Sequence, residues 1–309
     1  MALTVLDKSK ADRIDVRAEG KWWSRLAGTG TIYPTGGAVV YTDVCQGQMG
    51  NCWFLSGLLA VALKQNGPAF LQNRMLDNDD EWVFCSLWDG AKRPHLMKAK
   101  KQIAKQSDGS GGAAIDTEAS KLWVSMFQVF GSAFWSQDGN TANVAYEPKN
   151  PNLNRLNSGY AHNGLGILTG KTTGFGNVSG AYDTVRAKHV AGYPIIINSK
   201  AATALQAMFP ADGSVALNHV IVKGIVGGHS YAVWDVDSHQ FGPVGVANPP
   251  VQAVRLVNPW GRCVQSYESK TSFRVIDVVG TGDFWIPWTA VELFFTQYYY
   301  AEEALGTAV

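Results

Sequence analysis

The sequence predicts an α+β protein of two lobes, in which a mainly helical lobe precedes a β-rich one. The run from Cys52 to Leu63 is apolar at helical spacing and on its remaining faces, which is typical of a buried helix. Residues 122–135 carry a second apolar stripe at the same spacing. Beyond residue 169 the apolar runs shorten and alternate with Gly, Pro, Asn and Asp turns, which indicates strands.

The composition suggests where the lobes divide. Residues 137–180 are enriched in Gly, Asn, Ser and Thr, so we place the boundary near Thr169–Gly170. The predicted organisation is a lead-in or capping segment over 1–40, a helical lobe over 41–168 and a β-rich lobe over 169–309. An inhibitory propeptide is the alternative interpretation of the first forty residues.

Several smaller elements are predicted inside these lobes. In the first lobe we expect a short helix over 70–76, a strand over 81–88, a solvated basic cluster over 98–105 and a flexible loop over 107–112. In the second lobe the predicted strands are 193–198, 220–226, 230–236, 251–257 and 284–288.

Charge and hydropathy exclude several classes of partner. The chain has 26 Lys and Arg against 25 Asp and Glu, a net charge of +1, which gives no reason to expect nucleic acid or an anionic membrane surface. The longest apolar run is shorter than the roughly 18 to 20 residues of a membrane span. Because no signal peptide is visible either, we expect a soluble, cytoplasmic protein.

The four cysteines, Cys45, Cys52, Cys85 and Cys263, show no C-x-x-C spacing, which argues against zinc and thioredoxin-like sites. Four cysteines in 309 residues do not make a disulfide framework. We therefore expect free thiols and a reducing compartment.

Cys52 is the candidate nucleophile. It follows a glycine-rich approach and begins the first predicted helix, where unpaired N–H groups and the helix dipole favour an anion. A thiol in this position is expected to have a lowered pKa. Taken alone, however, a cysteine in this position is more often an ordinary buried core cysteine.

A thiol nucleophile needs a base, and His229 is the best candidate among six histidines. It follows Gly227–Gly228 and begins a predicted strand, so its ring can project from a rigid support. His219 is the rival, since it also leads a strand-like run. Asn258 ends the next predicted strand, and antiparallel pairing would bring it near His229, where it can orient the imidazole.

The same pattern offers donors for a developing oxyanion. The N–H of Cys52 lies at the helix start, and the side-chain amide of Gln46 lies six residues upstream. Trp260, just after Asn258, can shield the His–Asn hydrogen bond from water.

These segments resemble the motifs of calpain-like cysteine proteases. Residues 43–55 (DVCQGQMGNCWFL) resemble the cysteine motif, 228–233 (GHSYAV) the histidine motif, and 255–261 (RLVNPWG) the asparagine motif. Residues 282–286 (GDFWI) resemble an acidic-Phe-Trp segment downstream. The four motifs occur in the family's order and span nearly the whole protease core.

The resemblance implies a papain-like two-lobe fold and hydrolysis of peptide bonds in proteins or peptides. Cys52 would be the nucleophile that forms a thioester, and His229 the acid and base. Asn258 would orient His229, and Gln46 would complete the oxyanion hole. No cofactor is required for this chemistry, and its control is expected to come from a partner, from localisation or from the first forty residues.

The resemblance also implies calcium at Asp43 and Glu147, and it has departures. Asn51 stands where calpains usually have Asp. Val264 and Thr271 stand where a second calcium site would need carboxylates, which leaves Asp283 alone there. No EF-hand loop is present in the sequence.

Two other functions remain open at this point. One is a non-proteolytic binding or assembly protein that keeps the fold, although all four candidate positions are filled. The other is an acyl transferase or transpeptidase of the papain fold, in which an amine replaces water.

Overall fold

The computed structural model describes thirteen segments of the chain. They are residues 7–16, 21–26, 32–33, 39–77, 81–106, 122–136, 138, 140–210, 213–216, 219–241, 249–261, 277–278 and 282–305. The predicted loop 107–112, Val264 and Thr271 lie outside these residues, as does the side chain of His219.

Helices and strands are interspersed along the described chain. The helices are α1 (Cys52–Ala62), α2 (Gly67–Gln72), α3 (Trp123–Gly131), α4 (Ala161–Thr169), α5 (Tyr182–Val190), α6 (Ala202–Met208) and α7 (Trp288–Phe294). None of them, within those segments, has the length and apolar character needed to cross a membrane.

The strands begin in the lead-in segment and continue to the end of the described chain. They are β1 (Asp12–Arg13), β2 (Trp22–Leu26), β3 (Met75–Asp77), β4 (Trp82–Trp88), β5 (Pro94–Lys100), β6 (Gln102–Gln106), β7 (Phe134–Trp135), β8 (Ala145–Tyr146), β9 (Thr173–Asn177), β10 (Ile195–Ser199), β11 (Gly213–Ala216), β12 (His219–Val222), β13 (Ile225–Val226), β14 (Ser230–His239), β15 (Val251–Val257), β16 (Asp277–Val278), β17 (Asp283–Pro287) and β18 (Phe295–Ala301).

The largest sheet carries the segments of most interest. Its order is β16-β17-β15-β14-β10-β18-β9, and its neighbours pair antiparallel. The predicted strands over 193–198, 230–236, 251–257 and 284–288 correspond to β10, β14, β15 and β17 and are confirmed. The predicted strand over 220–226 is interrupted by a turn at Lys223–Gly224, where both residues have positive φ, and becomes β12 and β13.

The mixed α and β character is confirmed, but the first half of the chain is less helical than predicted. A four-stranded sheet of order β1-β5-β4-β3 and the pair β2–β6 lie there beside the helices. The basic cluster over 98–105 forms parts of β5 and β6 rather than a simple solvated face. Met97 and Ala99 are buried, while Lys98 and Lys100 alternate outward and both place Nζ 5.6 Å from the centre of the Trp82 ring.

The short helix predicted over 70–76 instead spans Gly67–Gln72, and Met75–Asp77 form β3. Pro68 occupies its first turn, where the missing N–H costs no hydrogen bond, so Gly67–Pro68 begins α2 as well as closing the segment after α1. The helix predicted over 122–135 ends at Gly131, and Phe134–Trp135 pair with β8 instead.

The described parts of the lead-in segment pack on the rest of the protein. β1 pairs in parallel with β5, and β2 pairs antiparallel with β6. Ile14, Trp22 and Ile32 are fully buried. This packing agrees with a capping role, while the division of the chain at residues 40 and 168 stays a prediction.

Helix α1 lies against the large sheet and against α4. It contacts β14 and β10 on one side and α4 on another. Gly164 of α4 permits the close approach, since a Cβ there would lie 2.8 Å from the carbonyl oxygen of Trp53. The start of α1 is thereby brought to the end of the sheet where β14 begins and β15 ends.

Candidate functional site

Cys52 is the first residue of α1, as predicted. All eleven residues of this helix are buried, and 9% of the Cys52 surface is exposed. The backbone N–H and the hydroxyl group of Ser230 lie close enough to the thiol to act on its pKa. Because Ser230 directly follows His229, the helix start and the histidine segment meet here.

The predicted lowering of the Cys52 pKa is wrong for this structure. Burial raises the pKa of the thiol above its ordinary value, because a thiolate loses water in the interior. The Ser230 groups and the N–H of Trp53 act in the opposite direction but do not offset burial. The prediction considered only the helix terminus, which lowers the pKa of a thiol. It left out the loss of water around an apolar helix, which raises that pKa.

His229 is held by the backbone of neighbouring strands. Its N–H donates to Ser199 Oγ at 2.9 Å, and its carbonyl accepts from the Ser199 N–H at 2.9 Å. Ser199 Oγ in turn donates to the Val226 carbonyl at 2.6 Å. Gly228, just before the histidine, has φ of 64°, a conformation that glycine adopts at little cost. These contacts fix the point from which the imidazole projects.

Asn258 lies beside His229, as the antiparallel pairing of β14 and β15 predicts. Val257 pairs with Ala232, and the His229 Nε2 atom lies 2.9 Å from Asn258 Oδ1. The same oxygen accepts the Trp260 N–H at 3.0 Å, which assigns the amide oxygen, rather than its nitrogen, to this side. Since this oxygen can only accept, Nε2 must carry the proton, and Nδ1 is the nitrogen left for proton exchange.

Aromatic rings enclose the His229–Asn258 pair. The Trp260 ring centroid lies 5.3 Å from that of His229, and Trp260 is 1% exposed. Tyr231 meets the imidazole edge-on at 5.0 Å. The predicted shielding of the hydrogen bond by Trp260 agrees with these positions, and a dry environment strengthens such a bond.

Gln46 is fully buried and tied to the same region. Its N–H donates to the Pro259 carbonyl at 2.7 Å, which joins the segment before α1 to the segment after β15. Its side-chain Nε2 donates to the Met49 carbonyl at 2.7 Å. One hydrogen of the amide group is therefore used locally, and the second is available for another acceptor.

Gln128 of α3 was not predicted as a site residue. Its side chain explains why position 51 carries an amide where an Asp was expected. Asn51 Nδ2 donates to Gln128 Oε1 at 2.8 Å, and both side chains are fully buried. An Asp at this position could not donate to that oxygen. The sequence did contain an indication of this contact. Gln128 lies in a mostly apolar predicted helix, and an amide that is buried there requires a hydrogen-bond partner.

Two further residues near the site were also missed. Ser230 Oγ donates to Asn198 Oδ1 at 2.8 Å, and Ser56 Oγ donates to the Ser230 carbonyl at 2.8 Å. Ser56 lies one helical turn after Cys52, so this bond fastens α1 to β14 directly beside His229. In the sequence, a serine within the apolar run of α1 was the indication that this helix makes a polar contact.

The acidic residues implied as calcium ligands have other partners. Asp43 Oδ2 accepts the Trp123 indole N–H at 3.0 Å, and Glu147 forms an ion pair with Arg155. Asp283 forms an ion pair with Arg255 at 2.5 Å. Within the described segments no group of three or more His, Cys, Asp or Glu could hold a metal ion. The contacts do not fit a calcium site shared by Asp43 and Glu147, and calcium binding at either residue stays a prediction.

The expectation of free thiols holds for two described cysteines and fails for a third. Cys52 and Cys85 are free and buried, whereas Cys45 is disulfide-bonded. Disulfides are uncommon in reducing compartments, so the cysteine content no longer supports a cytoplasmic location.

Comparison with known proteins identifies relatives of this chain. Residues 130–275 match the family model described as calpain family cysteine protease. The calpain-type cysteine protease ADL1 of Oryza sativa subsp. japonica is 22% identical over 270 residues, which cover 85% of this chain and 11% of that protein. The calpain-1 catalytic subunit of Gallus gallus is 23% identical over 235 residues, or 73% of this chain and 28% of that protein.

The calpain-type cysteine protease DEK1 of Arabidopsis thaliana gives a similar result, with 23% identity over 84% of this chain and 11% of the relative. The chain thus spans about a tenth of the length of its plant relatives. The family model covers the histidine and asparagine segments, and the longer matches cover most of the chain. The chain is therefore similar to calpain-type cysteine proteases, over residues 130–275 in the family model and over most of its length in the curated relatives.

Proposed function

We propose that the protein is a cysteine endopeptidase that hydrolyses peptide bonds through Cys52, His229 and Asn258. The observation that carries the proposal is the 2.9 Å hydrogen bond between His229 Nε2 and Asn258 Oδ1, beside a cysteine at a helix start. This bond selects the tautomer in which Nδ1 exchanges the proton. Ser56, one helical turn after Cys52, donates to the carbonyl of Ser230, the residue next to that histidine, at 2.8 Å.

In the first half of the reaction, His229 Nδ1 takes the thiol proton and Cys52 Sγ attacks the carbonyl carbon of the substrate. A bond forms between sulfur and carbon, and the carbonyl oxygen becomes an oxyanion. The imidazolium then returns its proton to the amine as the bond between carbon and nitrogen breaks. The product of this half is a thioester on Cys52 and a free amine.

In the second half, His229 Nδ1 takes a proton from water, and the hydroxide attacks the thioester carbon. The bond between carbon and sulfur breaks, a carboxylic acid leaves, and the imidazolium returns its proton to Cys52 Sγ, which restores the thiol. Asn258 holds the ring through both halves by accepting from Nε2. A neutral resting thiol agrees with the raised pKa of Cys52, since the thiolate then forms as the proton moves to Nδ1.

The oxyanion donors in this proposal are the Cys52 N–H and the Gln46 side chain. Gln46 keeps one amide hydrogen after its bond to Met49. Its backbone bond to Pro259 supports the idea that it lies at the same end of the molecule as Asn258. Each such donor contributes about 2.7 to 4 kcal/mol of transition-state stabilisation in comparable enzymes.

The finer fold in this proposal is the papain-like arrangement of two lobes, with the site between them. It is supported by two hydrophobic clusters among the described residues. One is built mainly around α1, α3 and α4, and the other lies mainly under residues 178–298. Protein or peptide substrates and a regulatory partner belong to the same proposal.

Labelling with iodoacetamide, followed by mass mapping, tests the nucleophile. We expect Cys52 to be modified and Cys85 to be spared in the folded protein. A matched pair of variants tests the base: His229→Ala should abolish cleavage of an unfolded protein substrate, and His219→Ala should retain it. Undiminished cleavage by His229→Ala would contradict the proposal.

The products separate hydrolysis from the two alternatives. Hydrolysis in H₂¹⁸O places one heavy oxygen in the new carboxyl group, whereas transpeptidation joins the acyl group to an amine and incorporates none. A folded protein whose Cys52 is not labelled and which cleaves nothing would instead favour a binding or assembly role.

A further inference from the structure

A groove of about 440 Å³ opens beside the proposed site, and aromatic rings form much of its wall. The rings belong to Tyr160, His162, Phe175 and Tyr299. Two of them are unusually open for large apolar side chains, since Phe175 is 65% exposed and Tyr160 is 47% exposed. Aromatic faces left open in this way are typical of a surface that contacts a ligand.

The rings form a continuous surface rather than isolated contacts. The His162 centroid lies 5.3 Å from that of Tyr299 and 5.8 Å from that of Tyr160. Phe175 lies 6.1 Å from Tyr299, and the interplanar angles among these pairs are between 27° and 37°. Roughly parallel rings present a broad face of negative quadrupole potential to the open side.

Among its described lining residues the groove carries one carboxylate and neither lysine nor arginine. Asp138 Oδ1 accepts the Asn140 N–H at 2.9 Å, and Oδ2 accepts from Asn143 Nδ2 at 2.6 Å. These hydrogen bonds lower the pKa of Asp138, so the group is a carboxylate at neutral pH. They also hold its position at the rim.

The sheet register relates this groove to the proposed catalytic residues. Ser230, which follows His229, pairs with Asn198 of β10, and Asn198 pairs with Gln297 of β18, a groove residue. Two strand spacings separate Ser230 from Gln297, or about 10 Å. An extended peptide covers that distance in about three residues.

The other wall of the groove also reaches the site. Tyr160 follows Gly159, and a Cβ on Gly159 would lie 2.3 Å from the Trp53 ring. Trp53 is the residue after Cys52. The groove is therefore adjacent to both the cysteine and the histidine segments.

We propose that this groove binds the arginine side chain of a peptide substrate, about three residues from the bond that is cleaved. The guanidinium group would lie over the open faces of Phe175 and Tyr160, and Asp138 would balance its charge. Aromatic faces attract cations, and the planar guanidinium stacks on rings better than an ammonium group does. An uncharged apolar side chain would leave the carboxylate without a partner of opposite charge.

This inference rests on the proposed peptidase function, so its test measures binding separately from cleavage. Fluorescein-labelled octapeptides would carry arginine, citrulline or leucine at each position in turn. Their affinities for the Cys52→Ala protein would be measured by fluorescence anisotropy at low and moderate salt. At one position we expect arginine to bind at least tenfold more tightly than citrulline, which has nearly the same shape without the charge.

Variants then assign the preference to the groove. Asp138→Asn keeps the acceptor for the Asn140 N–H but removes the charge, and it should reduce the arginine-to-citrulline ratio to threefold or less. Phe175→Ala should weaken arginine binding, while Asp183→Asn, at an exposed acid on α5, should change neither measurement.

The results separate the two proposals. Equal binding of arginine and citrulline at every position, or tighter binding of leucine, would overturn the groove assignment even if the wild-type protein cleaves peptides. An arginine preference that disappears in Asp138→Asn supports it, even if the wild-type protein cleaves none.

Discussion

Cys52 and Cys85 are both free, buried cysteines, and their surroundings differ in an instructive way. Burial raises the pKa of both thiols, that of Cys85 well above the ordinary value. Cys85 lies in the middle of β4, and the nearby Arg74 guanidinium counteracts this effect without overcoming it. None of the groups that shift the pKa of Cys52 is a cation. Cys52 is instead the first residue of α1, close to the segment that carries His229.

The comparison shows that a neighbouring positive charge does not by itself bring the pKa of a buried thiol down to its ordinary value. In the proposed mechanism, Cys52 differs from Cys85 because the imidazole of His229, whose Nε2 lies 2.9 Å from Asn258 Oδ1, takes up the thiol proton at Nδ1. Cys85 lies opposite Met75 and Met97 in the sheet, and thioethers cannot serve as bases.

The largest expected effect is on activity, and it tests the difference between Cys52 and Cys85 directly. Cys52→Ala should lower kcat/KM for a peptide substrate by about four orders of magnitude or more, as removal of a catalytic nucleophile does elsewhere. Cys85→Ala should keep kcat/KM within about threefold and lower the free energy of unfolding by about 1 kcal/mol, because it only removes a buried sulfur. Steady-state kinetics and urea denaturation of both variants measure these outcomes. Equal losses of activity in the two variants would contradict the distinction.

A smaller effect tests the groups around Cys52. Asn258→Ala should reduce kcat by about 100-fold, because the imidazole loses the acceptor that selects its tautomer. Gln46→Ala should reduce kcat by about 100-fold or more through the loss of an oxyanion donor. The matched control is Gln65→Ala, an exposed residue in the turn after the C-terminal end of α1, for which kcat should stay within about threefold. A full rate in Gln46→Ala would remove it from the oxyanion hole.

The smallest effect concerns stability at alkaline pH. A thiol whose pKa is raised by folding stabilises the protein below the unfolded pKa of about 9, and this contribution is lost as the pH rises further. The free energy of unfolding of wild type minus that of Cys85→Ala should therefore fall by about 1 kcal/mol between pH 8 and pH 10. The corresponding difference for Cys52→Ala should also fall, since burial raises the pKa of that thiol as well. Urea denaturation across this range measures both, and a constant difference for Cys85 would show that its thiol is not desolvated.

The sequence was sufficient for the parts of the fold that follow a simple period. Helix α1, strands β14 and β15, and the meeting of His229 with Asn258 all follow from apolar spacing and antiparallel pairing. Strand β5 was not predicted, because Lys98 and Lys100 made the segment look like a charged cluster. Their long side chains lie over Trp82, while Met97 and Ala99 occupy the buried positions between and beside them.

The parts that could not be predicted depend on contacts between distant segments. The Asn51–Gln128 bond joins residues 77 positions apart, and the Ser56–Ser230 bond joins residues 174 positions apart. The sign of the Cys52 pKa shift depends on how completely the surrounding chain excludes water, which a local motif does not specify.

The burial of the site has a consequence for covalent chemistry at Cys52. Gln46, His229 and Asn258 are at most 5% exposed, and Cys52 is 9% exposed. Since so little of the thiol surface is exposed, Cys52 should react more slowly with a bulky neutral electrophile than with a small one of equal intrinsic reactivity. The ratio of the two modification rates then measures how much room the site leaves around the sulfur.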